Sequence, residues 1–185
     1  MIVHRCFAWR AAAEPAEPDG PLWFPRAFQG EGRHDNPDVY GCLYVTDNEI
    51  SGVVEQLARF RTQRLVPALL RRRGLPLALA ELELPDRAEV VDLDEPRTLV
   101  RERLRPSEVA TRRREVTQPS ALALHRAHPR AAALRWWSGF EALWANYTVF
   151  DRAARSLRVR AVRELTLDDP AVVGAAEFFG LRRAA

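Results

Sequence analysis

Apolar residues along this chain gather in short runs, and the runs change period from one to the next. Ile2 to Trp9 is rich in β-branched and aromatic residues and predicts a first strand. Ala11 to Pro21 is alanine, proline, glutamate and glycine and reads as a loop, followed by the apolar patch Leu22-Trp23-Phe24. Phe28 to Val39 is polar and glycine-bearing with no helical period. An irregular loop is expected there, and long irregular loops in compact domains often carry function. Gly41 to Val45 predicts a short strand. Thr46-Asp47-Asn48-Glu49 then fits a capping box with the threonine as N-cap. Behind it Ile50, Val53, Val54, Leu57 and Phe60 recur at helical spacing. Glu55 falls on the flank away from that stripe. Ser51 and Gly52 precede it and make a small edge that a ligand can approach.

Leu65 to Gly74 reads as a short basic helix stopped by its glycine. Leu77 to Leu84 predicts a strand ended by Pro85, and Val90 to Leu93 another. Glu95-Pro96 opens a helix that runs to about Arg103. Ser107 to Val116 reads as a helix with a strong polar face, and Thr117-Gln118-Pro119 as a fresh helix start leading to Leu124. Ala132 to Trp136 and Tyr147 to Phe150 predict strands. Leu157, Val159 and Ala161 alternate with Arg158 and Arg160, as a half-exposed strand does. Asp169-Pro170 caps a last helix, Ala171 to Phe179, closed by Gly180. Short strands mixed with short helices, without regular βαβ alternation, predict an α+β fold of mixed, short-stranded sheets with surrounding helices. No internal repeat interrupts it, and 185 residues suit a single domain over residues 1–185.

Composition narrows the chemistry. Hydrophobic residues make up 47% of the chain, which argues against disorder, and a net charge of +3 is too small to argue for nucleic acid by itself. All 28 basic residues are arginine. No lysine is available as a Schiff base, a general base or a phosphate-loop cation, so phosphate recognition falls to arginine, backbone amides or helix N-termini. Cys6 and Cys42 both lie in apolar, strand-like segments and read as small buried thiols. The N-terminus lacks a signal-peptide core and no apolar run is long enough to span a bilayer, so a cytoplasmic protein is expected, without a membrane partner.

Four residues stand out as a set: Arg33, Tyr44, Glu55 and Ser138 offer a permanent cation, an aromatic hydroxyl, a carboxylate and a small hydroxyl. Each also has a plain structural explanation. Arg33, in Gly30-Glu31-Gly32-Arg33-His34, is either a guanidinium that forks onto a phosphate or an exposed loop arginine. Tyr44 is either a ligand-facing ring or a core aromatic whose hydroxyl reaches water. Glu55 stands four residues before Arg59, the favourable order for a helix-surface pair. Ser138 follows Trp136 and Trp137, which form either an aromatic wall or a core strand. His125 and His128 lack the further ligands a metal needs, so no metal site is expected. Gly-x-Ser-x-Gly and Gly-x-Gly-x-x-Gly motifs are absent. The runs Arg71 to Arg73 and Arg112 to Arg114 are candidates for RNA or DNA, or are solvated helix faces.

The order of segments resembles the RES-domain family, named for arginine, glutamate and serine. Its members are toxins of bacterial toxin–antitoxin pairs that destroy cellular NAD. The matching stretches are His4-Arg5-Cys6-Phe7-Ala8-Trp9-Arg10, Gly32-Arg33 to Tyr44, the helix bearing Glu55, Thr117-Gln118-Pro119-Ser120-Ala121, Trp136-Trp137-Ser138, and Asn146 to Arg152. Together they run from about residue 3 to residue 181. By this resemblance Arg33, Glu55 and Ser138 take the three named positions. Tyr44 matches the tyrosine before the helix, and Arg10 the arginine that ends the first strand. His34 stands where the family usually has an aromatic residue, and the stretch from Arg33 to Tyr44 is slightly long, which keeps Arg26 as the alternative loop arginine.

The resemblance implies a mixed α+β core like that of ADP-ribosyltransferases, with a cleft between two small sheets. It implies NAD as substrate, no required cofactor, and water or inorganic phosphate as acceptor; transfer onto a macromolecule stays open. Breaking the nicotinamide–ribose bond leaves an oxocarbenium-like sugar, which asks for negative charge near the ribose and a firm hold on the pyrophosphate. Glu55 would supply the first, Arg33 with Arg10 the second. Tyr44 would border the nicotinamide, and Ser138 would orient Glu55 or the ribose, with Asn146 among the NAD-binding residues. The implied partner is a helix-turn-helix antitoxin whose C-terminal segment plugs the cleft. Any nucleic-acid contact would then come through the antitoxin, and homo-oligomerisation stays open.

Overall fold

The computed structural model describes residues 1–182. They fall into two compact units, the first comprising Met1–Trp23, Val45–Glu83 and the described residues from Arg158 on, the second Phe24–Tyr44 and Leu84–Leu157. Neither is a contiguous stretch of chain, which is why composition along the sequence marks no boundary.

The first unit is built on β1 (Ile2–Ala8) and β4 (Leu75–Glu83), antiparallel over the full length of β1 from Ile2↔Glu83 to Ala8↔Leu77. The free edge of β1 meets β2 (Cys42–Thr46) at His4↔Thr46, and β4 also pairs with β8 (Arg158–Glu164). The short β3 (Arg71–Arg72) is a correction to the expected helix at Leu65 to Gly74. Only Pro67–Leu70 forms a 3₁₀ turn, and the chain then folds back as a hairpin, Arg71↔Pro76 and Arg72↔Leu75. Its two-residue tip, Arg73-Gly74, has φ values of 52° and 79°. Two successive left-handed residues make the turn whose twist matches the flanking strands, so Gly74 closes a hairpin rather than a helix.

Helix α1 (Glu49–Leu57) follows β2 and is capped by Asn48, whose side chain accepts the Ser51 amide at 2.8 Å. The expected Thr46 cap is displaced because Thr46 is still in the strand, where its hydroxyl donates to the Asn48 carbonyl. Val53, Val54 and Leu57 are fully buried as the periodicity predicts, each contributing about 1.5–3 kcal/mol of apolar burial. Ser51 and Gly52 are buried with them. A Cβ on Gly52 would lie 3.2 Å from Thr46 Oγ1 and within 4 Å of Leu79 and Cys6. The small edge of this helix therefore admits the sheet, not a ligand.

Helix α5 (Pro170–Phe179) packs on α1 and ends at Gly180 in the left-handed region, φ 63°. Its N-cap is Asp169, which accepts the Ala171 amide at 2.9 Å and also receives Arg163 at 2.8 Å. Arg163 spreads its remaining donors over Glu49, at 3.0 and 2.7 Å.

In the second unit β5 (Val90–Asp92) and β6 (Ala133–Trp137) run parallel, joined by α2 (Pro96–Glu102), α3 (Pro106–Ala110) and α4 (Arg114–Ala127). Parallel neighbours need such a crossover. β7 (Ala145–Phe150) is antiparallel to β6 and lies beside β2. The mixture of antiparallel strands, the parallel pair β5 and β6 and flanking helices is the expected α+β arrangement. The helix boundaries differ from the expected ones. The segment from Ser107 to Val116 breaks at 111–113, and Thr117-Gln118-Pro119 lies inside α4 rather than at its start. Pro119 removes one helical amide bond, yet Thr117, Ala121 and Leu124 are buried at helical spacing, and that packing carries the helix through. The core here joins Tyr40, Leu93, Val109, Leu124, Leu134, Trp136 and Phe150. Among the described residues no helix is long and apolar enough to cross a membrane. Cys6 and Cys42 are free and buried, as expected.

Asp169→Ala removes the cap of α5 and one partner of Arg163. Equilibrium urea unfolding should show a loss of about 1–2 kcal/mol, with Asp169→Asn, which keeps a capping oxygen, losing clearly less.

Candidate functional site

The irregular loop expected between Phe28 and Val39 is ordered by one carboxylate. Asp35 is buried, and its Oδ2 accepts the amides of Gly30 at 2.8 Å and Gly32 at 2.7 Å. Its Oδ1 accepts the Tyr44 hydroxyl at 2.6 Å and the Cys42 thiol at 3.3 Å. Burial alone would push this acid up. The Tyr44 hydroxyl, the two amides and the thiol together outweigh it and hold the carboxyl below its usual range. Gly32 is required sterically, because a Cβ there would overlap the Tyr44 hydroxyl and the Asp35 carboxylate.

Tyr44 is thereby fixed. Its hydroxyl accepts the His34 amide at 2.9 Å while donating to Asp35. The ring is partly exposed, at 36%, but the hydroxyl is enclosed; burial and the neighbouring Cys42 and Asp35 raise its pKa well above that of a free phenol. A second clamp comes from α4. Gln118 Nε2 donates to the carbonyls of Gly30 and Gly32, both at 2.9 Å, and the Thr117 hydroxyl donates to the Arg33 carbonyl. The Thr117-Gln118 motif thus holds the arginine loop in place.

Arg33 leaves this loop as a half-buried side chain. One guanidinium nitrogen donates to the carbonyls of Val109, at 2.7 Å, and Thr111, and the guanidinium carbon lies 4.5 Å from the centre of the Trp136 ring. Carbonyl anchoring and stacking fix the planar fork in place. His34 is buried beside it, edge-on to Trp136 at 5.4 Å, with Nδ1 2.8 Å from the Thr148 hydroxyl. Burial and the Arg33 charge push this histidine down to about 3, so it is neutral at ordinary pH.

Three of the expected residues therefore gather around Trp136. Arg33 covers its ring, Asn146 is its cross-strand neighbour on β7, and Ser138 lies two residues beyond it. Ser138 and Asn146 are both buried, each 3% exposed. The Ser138 amide donates to the Trp144 carbonyl at 2.8 Å and its hydroxyl accepts the Phe140 amide at 3.2 Å. Tyr44 joins the group through Asp35 and His34. Arg10 and Glu55 belong to the first unit: Arg10 pairs with Asp19 at 3.3 Å, and Glu55 is exposed on α1. Arg26, the alternative loop arginine, is exposed on the 3₁₀ turn Arg26–Phe28 and donates to the Pro37 carbonyl at 2.7 Å.

Sequence reasoning missed Asp35, Thr148 and the neutral His34, which it registered only as a departure from a motif. A pair of glycines followed by an aspartate, Gly30-x-Gly32-x-x-Asp35, was the available signal, since a short acidic side chain collects the amides of such a loop. No group of three or more metal-ligating side chains is found among the described residues. Much of the two arginine runs is internally paired. Arg73 binds Asp19, Arg113 binds Glu115 and Arg114 binds Glu31, each within 2.8 Å.

No family model matches the chain, and no curated protein does. Among solved structures, the fold matches a chain of the toxin–antitoxin complex MbcT–MbcA of M. tuberculosis with a TM-score of 0.62. The match covers 98% of this chain and 88% of that one at 18% sequence identity. The likeness extends over almost the whole molecule and establishes the fold.

The buried acid and histidine contribute to the acid limb of stability. His34 has its folded pKa depressed from about 6.5, so the unfolded chain takes up the proton first. Its contribution is full above about 6.5 and is lost as pH falls toward about 3. Asp35 acts lower, present above about 3.9 and lost as pH falls through its depressed folded value. His34→Gln should flatten the stability–pH slope between pH about 6 and 4 by roughly one proton, about 1.4 kcal/mol per pH unit. Asp35→Asn, which leaves buried donors without an acceptor, should cost about 2–3 kcal/mol at neutral pH. Urea titrations across pH read both.

Proposed function

We propose that this protein is the toxin of a toxin–antitoxin pair and acts by cleaving the nicotinamide–ribose bond of NAD. The observation that carries the proposal is the fold, shared over 98% of the chain with a chain of a toxin–antitoxin complex. The motif order that resembles the RES-domain family supports it independently. So does the second unit, where an immobilised guanidinium stacked on an indole stands beside two buried small polar side chains.

Nicotinamide leaves as a neutral base from a cationic glycoside, so the reaction asks little of a general acid. It asks for positive charge on the diphosphate and negative charge at the developing oxocarbenium. Arg33 suits the first task. It is permanently charged, its fork matches two oxygens at once, and its position is set by two carbonyls and a ring. Tyr44 presents a ring edge whose hydroxyl stays protonated and tied to Asp35, which suits packing against a flat heterocycle rather than proton transfer. Ser138 and Asn146 offer hydrogen bonds to the ribose. Glu55 and Arg10 enter the proposal through the sequence motifs, as the ribose carboxylate and a second phosphate cation. Water as acceptor makes the enzyme a glycohydrolase; inorganic phosphate makes it a phosphorylase. A partner antitoxin, of the helix-turn-helix type by the resemblance, restrains it in its own cell.

Release of nicotinamide from NAD by the purified protein, with and without inorganic phosphate, tests this directly. The wild type should release it, and stimulation by phosphate identifies the acceptor. Glu55→Gln should keep the fold and lose about 10²-fold or more in rate, the scale of a lost electrostatic contact to a transition state. Undiminished cleavage by that variant would remove Glu55 from the mechanism. Absence of cleavage by the wild type under both conditions would remove the activity.

A further inference from the structure

The segment between α3 and α4 carries three consecutive arginines that are treated differently by the fold. Arg113 is bound by Glu115 at 2.8 Å and Arg114 by Glu31 at 2.6 Å. Arg112 has no carboxylate partner among the described residues. It is exposed, and its guanidinium carbon lies 5.4 Å from the centre of the Phe140 ring. A Cβ on Gly139 would stand 3.7 Å from Arg112 Nη2, so the guanidinium passes over the glycine that follows Ser138. The residue before it, Thr111, gives its carbonyl to Arg33.

Two stacked arginines thus flank Ser138 along the chain. Arg33 lies over Trp136, two residues before the serine, and Arg112 lies over Phe140, two residues after it. The Phe140 amide is bonded to the Ser138 hydroxyl, so the second ring is tied to the serine as well. An aromatic face holds a guanidinium in place while leaving its N–H edge available to an anion, which a salt bridge does not. An exposed guanidinium on such a platform beside a buried hydroxyl, with Arg113 and Arg114 already paired, favours a ligand with adjacent negative oxygens over a diffuse polyanion.

We propose that Arg112 is a substrate-binding residue that takes a phosphate oxygen of the dinucleotide beside Ser138, with Phe140 as its platform. This rests on the NAD reading and adds to it a diphosphate contact that no motif contains. The arginine gives kcat little, because the diphosphate keeps its charge through the reaction; it contributes uniform binding and sets KM.

The test compares wild type, Arg112→Ala, Arg112→Lys and the control Arg113→Ala in two assays at fixed ionic strength. One is NAD cleavage kinetics; the other is calorimetric binding of ADP-ribose, which has the diphosphate but no nicotinamide. Arg112→Ala should raise KM and the ADP-ribose Kd by about tenfold, the effect of one charge-assisted hydrogen bond. Its kcat should stay within about twofold. Arg112→Lys should recover part of the loss, and Arg113→Ala should behave as wild type. If Arg112→Ala matches wild type in both assays while NAD is cleaved, Arg112 is not a substrate residue and the NAD reading stands. Equal losses in Arg112→Ala and Arg113→Ala would mean only a general field, and also overturn the proposal. If the wild type neither cleaves NAD nor binds ADP-ribose, the NAD reading and this contact fall together.

Discussion

The second unit depends on a buried carboxylate that pairs with no cation among the described residues. Asp35 is satisfied by two backbone amides, a phenol and a thiol. A buried charge left unpaired is costly, and dipoles aimed at it from several sides are the alternative to a salt bridge. That choice has a geometric consequence. An ion pair would tolerate rotation of a long side chain, whereas four short donors converge only if the Gly30–Asp35 loop and the strand carrying Tyr44 keep one arrangement. The loop arginine inherits that rigidity, reinforced by Thr117 and Gln118 from α4.

The absence of lysine shapes the rest of the site. Arg33 is held by carbonyls and an indole, and Arg112 by a phenyl ring. By contrast Arg163, which braces α1 and α5 through Glu49 and Asp169, is fully committed to carboxylates. The chain thus anchors one residue type in two ways, on carbonyls and rings or on carboxylates.

Much of the fold was legible from periodicity and caps. The first and last elements, the Glu95-Pro96 helix start and the strands from Ala133 to Trp137 and Ala145 to Phe150 follow local rules that tertiary packing does not override. The failures share a cause. At Arg71 to Gly74 a basic run looked helical because charge says nothing about pairing, and a two-residue turn set the outcome. At Pro119 the local breaker yielded to the buried face of a longer helix. Of the expected site residues, Arg33 stacks on Trp136, Asn146 pairs across from it on β7, and Ser138 follows it by two residues. Their supports were not legible, since Thr117, Gln118 and Thr148 act across separations of more than eighty residues that no local pattern encodes.

Thr148 carries one further implication. Its hydroxyl receives the Trp136 indole N–H at 3.2 Å and lies 2.8 Å from His34 Nδ1. Indole can only donate, and a fully buried hydroxyl proton needs an acceptor. A Thr148 hydroxyl that donates to Nδ1 would leave that nitrogen bare and put the ring proton on Nε2. Burial and the adjacent charge hold the histidine beside the loop arginine neutral. It serves as an oriented dipole, closed to acid–base shuttling throughout the range in which a cell lives.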